Sequence, residues 1–245
     1  MNAFNNKEKI KSLPPGFWLK YFKVYDILNL IPPYVNLLNR LIEILQPSQR
    51  EKILDAGVGT GNLAVLLARR GADVYGLDFS PEALKIYKDK DPNAKTFLHD
   101  LRSPLPFEDN FFDKIVSNNV LYNIPREERL NVILELRRVL KPGGIIVLSN
   151  IHKDFSPFKI YVSSIKESVQ TKGLITTIYL ILKLIIPTIQ MFYYNFQIQK
   201  IHKTDKNNLF DFEEQKHYLT KAKFSFVSDT ELTYAGQAIL NYAIK

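Results

Sequence analysis

The sequence predicts an α/β fold built on a doubly wound parallel sheet. Three observations carry this. Between Lys52 and Ser149, short apolar runs alternate with helical stretches at the spacing of β-α-β units, a glycine turn joins the first run to the first helix, and the second run ends in an acid. At 245 residues the chain accommodates one such domain with an added lobe. Its 46% hydrophobic and 24% charged content excludes a disordered chain. The absence of cysteine excludes a disulfide scaffold, a zinc ribbon and a thiolate nucleophile, and no metal site is read.

The elements follow in order. Ile53 and Leu54 form the first strand, and the helix behind its glycine turn ends at Gly71, a residue suited to the position past a helix end. Asp73 to Asp78 is the second strand. Ser80-Pro81-Glu82 opens the next helix, Ser capping orphan amides and Pro sitting in the first turn. Thr96 to Leu98 is a third strand, Phe111 to Ser117 a fourth, and a helix runs from Pro125 to Leu140. Lys141-Pro142-Gly143-Gly144 reads as a turn before a fifth strand, Ile145 to Ser149, apolar throughout as a central parallel strand should be.

Net charge is +8, from 33 Lys+Arg against 25 Asp+Glu. Residues 51–150 are balanced, with 14 of each sign, so the excess lies wholly in the flanks. Of 30 aromatic residues, 15 fall after residue 150. A basic, aromatic flank suits a nucleic acid or a membrane surface.

Asp55-Ala56-Gly57-Val58-Gly59-Thr60-Gly61 lies between the first strand and first helix. Glycine lets the main chain turn sharply and lets a ligand approach where a Cβ would block it. Asp78, 17 residues past Gly61, stands where a carboxylate can accept from both hydroxyls of a ribose. A lone glycine loop would equally be a tight turn. The strand before it, the helix after it and the acid favour a nucleotide site. The third glycine of a dinucleotide fingerprint would fall on Asn62, and the Gly-Lys-Ser/Thr of a phosphate loop is missing, which argues against NAD and ATP.

ILDAGVGTG, YGLDFSPEAL, HDLRSPLPFEDNFFDKIVSNNVLYNI and LRRVLKPGGIIVLSN, in this order, resemble the motifs of class I S-adenosylmethionine-dependent methyltransferases of the small-molecule type. The resemblance covers about residues 52–150. It implies a Rossmann-like, seven-stranded sheet with the last strand antiparallel, and S-adenosyl-L-methionine as cofactor. By matching position, Gly57, Gly59 and Gly61 pass beneath the methionine part, with Asp55 and Ala56 orienting it. Asp78 holds the ribose, Phe79 packs on the adenine, and Asp100 and the Leu101 backbone meet its amino edge. Asn118 and Asn119 face the methionine carboxylate and the reaction centre. A Tyr-Asp in an N-terminal helix covers the cofactor in many such proteins, which makes Tyr21 and Tyr25 lid contacts. Packing roles remain open beside these: Phe79 as core, Asp100 as a turn former, the two Asn and two Tyr as ordinary structure.

Methyl transfer from a sulfonium needs proximity and orientation, plus a base where the acceptor must lose a proton. Cytosine-C5 transfer is excluded for want of a cysteine, and Ser117-Asn118-Asn119-Val120-Leu121 lacks the Pro-Pro-aromatic stretch of amino-methylating nucleic-acid enzymes. His152, just past the fifth strand, is the candidate base, or else a solvent-exposed residue beside Lys153 and Asp154. Tyr122 is the other catalytic candidate, in a stretch where many relatives carry histidine.

Gly173 to Phe196 is apolar over a membrane-spanning length. The segments Phe224–Thr233 and Ala238–Ile244 follow it and read as the last hairpin of the same sheet, so one crossing would put the two parts of that sheet on opposite sides of the bilayer. A single transmembrane helix is rejected on that ground. A lid over a hydrophobic substrate, a membrane-interface helix, and a dimer contact or extra core all remain open. The expected organisation is thus a tail and helical lid (1–50), a cofactor core (51–150), a helical apolar insertion between strands five and six (151–223), and a closing hairpin (224–245). Residues 1–16 lack a signal-peptide core and read as a polar tail. The expected function is methyl transfer to a lipophilic small molecule (quinone-like, isoprenoid or lipid headgroup) by a cytoplasmic, membrane-associated or oligomeric protein. An RNA methyltransferase and a non-catalytic cofactor-binding subunit are the alternatives, although the scattered lysines disfavour nucleic acid.

Overall fold

The computed structural model describes residues 16–202 and 208–245; all but the last residue of the expected polar tail lies outside them. Helix α1 (Phe17–Tyr25) leads through a 3-10 turn, Asp26–Leu30, into α2 (Pro32–Leu45). Pro32 and Pro33 stand in the first turn of α2, where a missing N–H costs nothing. Leu37, Leu38, Leu41, Ile42 and Leu45 recur at helical spacing and are all buried.

The sheet contains β1 (Lys52–Ala56), β2 (Asp73–Asp78), β3 (Lys95–Leu98), β4 (Phe112–Asn118) and β5 (Leu140–Ile151), all parallel. It is completed by β6 (Phe226–Val227), β7 (Glu231–Thr233) and β8 (Ala238–Ile244) in the order β3-β2-β1-β4-β5-β8-β6, with β7 also on β8. β8 runs antiparallel to β5 from Ile145↔Ile244 to Ile151↔Ala238. β6 and β7 both pair with β8, Phe226 against Ile244 and Thr233 against Ala238, with residues 228–230 unpaired between them. They act as one broken edge strand, so the eight strands fill the seven expected positions. The expected turn at Lys141–Gly144 is instead part of β5. Leu140 already pairs with Phe112, the register then shifts, and Gly143 takes up the irregularity at φ 75° while its N–H donates to the Lys245 carbonyl.

Helices α3 (Asn62–Ala68), α4 (Pro81–Lys90) and α5 (Arg126–Val139) make the crossovers. Ser80 Oγ accepts the Ala83 N–H at 3.2 Å, the cap expected for α4. Successive strand residues enter opposite cores: Ile53, Val116 and Val147 pack with α2 and α3, while Leu54, Ile115 and Ile146 pack with α5. After β5 come α6 (Pro157–Lys172), α7 (Leu174–His202) and α8 (Glu214–Lys221). Gly173 breaks α6 from α7, and α7 continues through Pro187. Proline removes one helical hydrogen bond, to the Lys183 carbonyl four residues back.

Arg129 of α5 ties the insertion to the core. Its side chain is fully buried, its Nε donates to the Ile124 carbonyl at 3.0 Å, and its guanidinium meets Glu214 at 3.2 Å and the Asn208 carbonyl. The cation also lies over the Phe210 ring, 4.2 Å from its centroid. Burial presses the Arg129 pKa down, and the Glu214 charge opposes that. Replacing Arg129 with Met leaves Glu214 and the Asn208 carbonyl without their donor. A loss of about 3 kcal/mol is expected in urea unfolding; an unchanged midpoint would remove this tie from the account.

Candidate functional site

The carboxyl ends of β1, β2, β4 and β5 open on one edge of the sheet, where the order reverses between β1 and β4. The glycine loop folds back over the end of β2. Gly57 and Val58 donate to the Leu77 carbonyl at 2.7 and 2.9 Å, and Gly59 N–H donates to Asp78 Oδ2 at 2.8 Å. Asp78 Oδ1 accepts the Ser80 N–H at 2.9 Å. Burial raises the Asp78 pKa, and backbone donors from Ser80, Gly59 and Phe79 oppose the rise. The carboxylate is therefore aimed and partly desolvated, with further lone pairs for a ligand's hydroxyls.

The three glycines differ in what they permit. A Cβ on Gly61 would stand 2.0 Å from the Tyr87 ring, and one on Gly57 would stand 2.2 Å from Val120. Those two are glycines because the protein's own side chains fill the space. A Cβ on Gly59 would meet nothing within 4 Å, so this residue alone of the three borders open space at its Cβ position. Beside it, Asn118 Oδ1 and Asn119 Oδ1 are buried without a hydrogen-bond partner, and Asn119 is held at φ 59° with its N–H on the Ser149 carbonyl. Buried acceptors left unpaired are costly, which points to a donor supplied by a ligand. Phe79 is 68% exposed and Leu98 62%, two apolar side chains facing solvent at the ends of β2 and β3.

Asp100 is engaged within the chain: the Arg102 guanidinium bonds both its oxygens, at 3.0 and 2.6 Å, and holds its pKa below the usual carboxylate range. Leu101 is buried beneath it. Ala56 closes β1, fully buried, and its carbonyl accepts from Ser117 Oγ at 2.8 Å. Asp55 is buried too; desolvation, and after it the Asp78 charge, push its pKa from 3.8 up to about 7.

The N-terminal helices cover this edge. Asp26 Oδ1 accepts from Thr60 Oγ1 at 2.6 Å, and its Oδ2 meets Lys90 Nζ at 2.8 Å, so the lid is pinned to the glycine loop and to α4. Tyr21 and Tyr25 lie 5.9 Å apart; burial raises the phenol pKa values of Tyr21 and Tyr234, and Tyr122 adds a smaller rise to both. Tyr25 joins the same group, and Tyr34 extends it from α2.

His152 sits at the end of β5 as expected, but both ring nitrogens are in use. Nε2 is 2.8 Å from the Gly236 carbonyl, and Nδ1 accepts the Asp154 N–H at 3.2 Å. These bonds hold β5 to the turn before β8. No ring nitrogen is open to a substrate.

A family model described as a methyltransferase domain matches residues 54–148. This stretch is similar to a methyltransferase domain, and it holds the glycine loop, Asp78 and the two asparagines. The chain is similar to the demethylmenaquinone methyltransferase of Renibacterium salmoninarum, 38% identical over 114 residues, 46% of each chain. It is also similar to that of Bacillus subtilis, 31% identical over 142 residues, 54% of this chain and 60% of the relative. The chain thus spans about half of the length of the curated relatives it matches. A TehB-like S-adenosylmethionine-dependent methyltransferase from Corynebacterium glutamicum shares the fold: TM-score 0.63 at 17% identity, over 95% of this chain and all of that one.

Solved structures that share the fold are described as S-adenosylmethionine-dependent methyltransferases, and the residues present here suit that cofactor. Asp78 is aimed for a ribose, Gly59 leaves room for a ligand against the main chain, and the orphan Asn118 and Asn119 oxygens suit the cofactor's ammonium. Phe79 and Leu98 offer apolar surface to an adenine. Asp26, Thr60, Tyr34 and Tyr234 were missed by sequence reasoning. Asp26 follows the noted Tyr25, but its bond to Thr60 joins residues 34 apart. Tyr234 arrives only through the last hairpin.

Two measurements separate these roles. Gly61→Ala is expected to cost about 2 kcal/mol or more in unfolding, from the Tyr87 clash at φ 77°. Gly59→Ala is expected to weaken cofactor binding at least as much as stability. Equal stability losses with unchanged binding would contradict this division. Asp55 carries a pH signature. Folded, its carboxyl keeps its proton up to about pH 7; unfolded, only to about 3.8. The folded chain binds more protons between those values, so this group makes stability fall as pH rises across that window. Asp55→Asn is expected to flatten the decline in Tm there, and an identical slope would place its origin elsewhere.

Proposed function

We propose that the chain is an active methyltransferase whose acceptor is a lipophilic small molecule, with a quinone-like ring foremost. The observation that carries this is the tyrosine wall. Tyr21 and Tyr25 of the lid pack 5.9 Å apart, Tyr234 packs on Tyr34 at 6.1 Å, and Tyr122 follows Asn118 and Asn119 just past the end of β4. Flat rings on several sides suit a planar apolar acceptor and exclude water. The demethylmenaquinone methyltransferases that match about half the chain support the same class.

Bound S-adenosylmethionine would supply a methyl group already activated on a sulfonium. The protein's part is alignment. Asp78, Asn118 and Asn119 fix the donor side, and the tyrosines hold the acceptor side. None of these phenols serves as a base, since burial raises their pKa values further, and the ring nitrogens of His152 are engaged. The site therefore favours an acceptor whose nucleophilic atom needs no proton taken by the protein before attack. His152 then acts as a positioning residue between β5 and the turn at Gly236.

The test is transfer of labelled methyl from S-adenosylmethionine to a lipid extract, an RNA pool and a protein pool. Label is expected in the lipid fraction. Label confined to RNA or protein overturns the proposal, and no transfer to any pool favours a cofactor-binding subunit.

A further inference from the structure

Helix α7 carries a surface that neither the sheet nor its neighbouring helices explain. Its inner face packs on the body: Met191 joins the core, Tyr194 meets Phe17 edge-on at 5.2 Å, and Thr177 is buried. The opposite face is apolar and open. Eleven large hydrophobic side chains from Leu174 to Phe196 are exposed, among them Ile175 at 87%, Leu182, Ile186, Ile189 and Phe196. They recur every three or four residues, forming one stripe about 33 Å long. The largest apolar patch of an ordinary monomer is roughly 300–600 Å², and a row of eleven such side chains exceeds it.

Charge identifies the occupant. Around the stripe, Lys20 and Lys23 on α1, Lys159, Lys166 and Lys172 on α6, and Lys183 on α7 are all exposed. The one acid described on these three helices, Glu167, is engaged by Asn36 at 2.9 Å and Ser163 at 2.7 Å. An apolar ridge with aromatics along it and lysines beside it is complementary to an anionic lipid surface: the stripe enters the acyl boundary while the lysines reach the phosphates.

Leu174–Tyr194 is long and apolar enough to cross a bilayer by length and composition. The β5–β8 ladder forbids a single crossing, because it returns the chain to the edge it left. A return through α6 is also excluded, since that helix carries Lys166, Glu167 and Lys172 and packs on α2. The helix must lie along the surface. We propose that the outer face of α6 and α7 is a docking face for an anionic membrane, with α7 lying in the interface plane. Because Tyr194 also lies 6.3 Å from Tyr21 of the lid, docking places the tyrosine-walled site next to the bilayer.

The test is flotation of the full chain with vesicles, without cofactor or acceptor, so that its outcome is independent of methyl transfer. Vesicles of phosphatidylcholine with phosphatidylglycerol are expected to carry the protein, and pure phosphatidylcholine vesicles to carry at least tenfold less. The variant Ile175→Ser/Leu182→Ser/Ile186→Ser is expected to lose at least tenfold in binding with its unfolding midpoint unchanged, since these side chains are exposed. Lys166→Glu/Lys172→Glu is expected to weaken binding to the anionic vesicles. Wild-type protein that stays unbound, or a variant that floats as well as wild type, overturns the proposal. So does a vesicle-free dimer that the triple-serine variant converts to monomer, because the stripe would then belong to a second copy.

Discussion

The antiparallel ladder between β5 and β8 is the constraint on which the rest of the molecule depends. Seven residue pairs, from Ile145↔Ile244 to Ile151↔Ala238, lock the last strand against the centre of a parallel sheet. Everything between Ile151 and Ala238 must therefore leave from the carboxyl edge of the sheet and return to it. The long insertion thereby comes to lie against the N-terminal helices, Gly236 is delivered to His152, and Tyr234 to Tyr34. The ladder also confines α7 to one side of any membrane, however apolar its sequence. Parallel sheets bury both faces, and β8, with five of its seven positions buried, extends that buried centre by one strand.

A second layer of order depends on carboxylates used as internal clasps. Asp78 collects N–H groups from Gly59 and Ser80, which fixes the glycine loop relative to the next crossover helix. Asp26 takes Thr60 and Lys90, which ties the N-terminal helices to that same loop. Glu214 receives the buried Arg129 and joins α8 to α5. Each clasp bridges segments far apart in the chain, and each is partly desolvated, where a hydrogen bond to charge is stronger than at the surface. The site is therefore held from three directions before a ligand arrives.

The proposed division between donor side and acceptor side has a physical logic. Asn118 and Asn119 carry unpaired buried acceptors, and the Asp78 carboxylate keeps free lone pairs. The phenols are driven further from ionisation by burial. Such a site would orient and desolvate, as the proposed methyl transfer requires. His152 looked like a base in the sequence because imidazole has the right intrinsic pKa. In the structure its two nitrogens serve the backbone at Asp154 and Gly236.

By itself the sequence determined the alternation of strands and helices, the Ser80 cap, the glycine loop with its distant acid, and the closing hairpin, because each is written in local chemistry: period, capping oxygen, positive φ, apolar runs. It also excluded a single membrane crossing, since the strands after the insertion had to rejoin the sheet. Only the tertiary structure decided that Gly61 and Gly57 make room for Tyr87 and Val120, whereas Gly59 borders open space. It alone absorbed the Lys141–Gly144 turn into β5, occupied His152, and brought Tyr34 to Tyr234. These are contacts between residues tens to hundreds of positions apart, and no local preference encodes which distant side chain fills a given space.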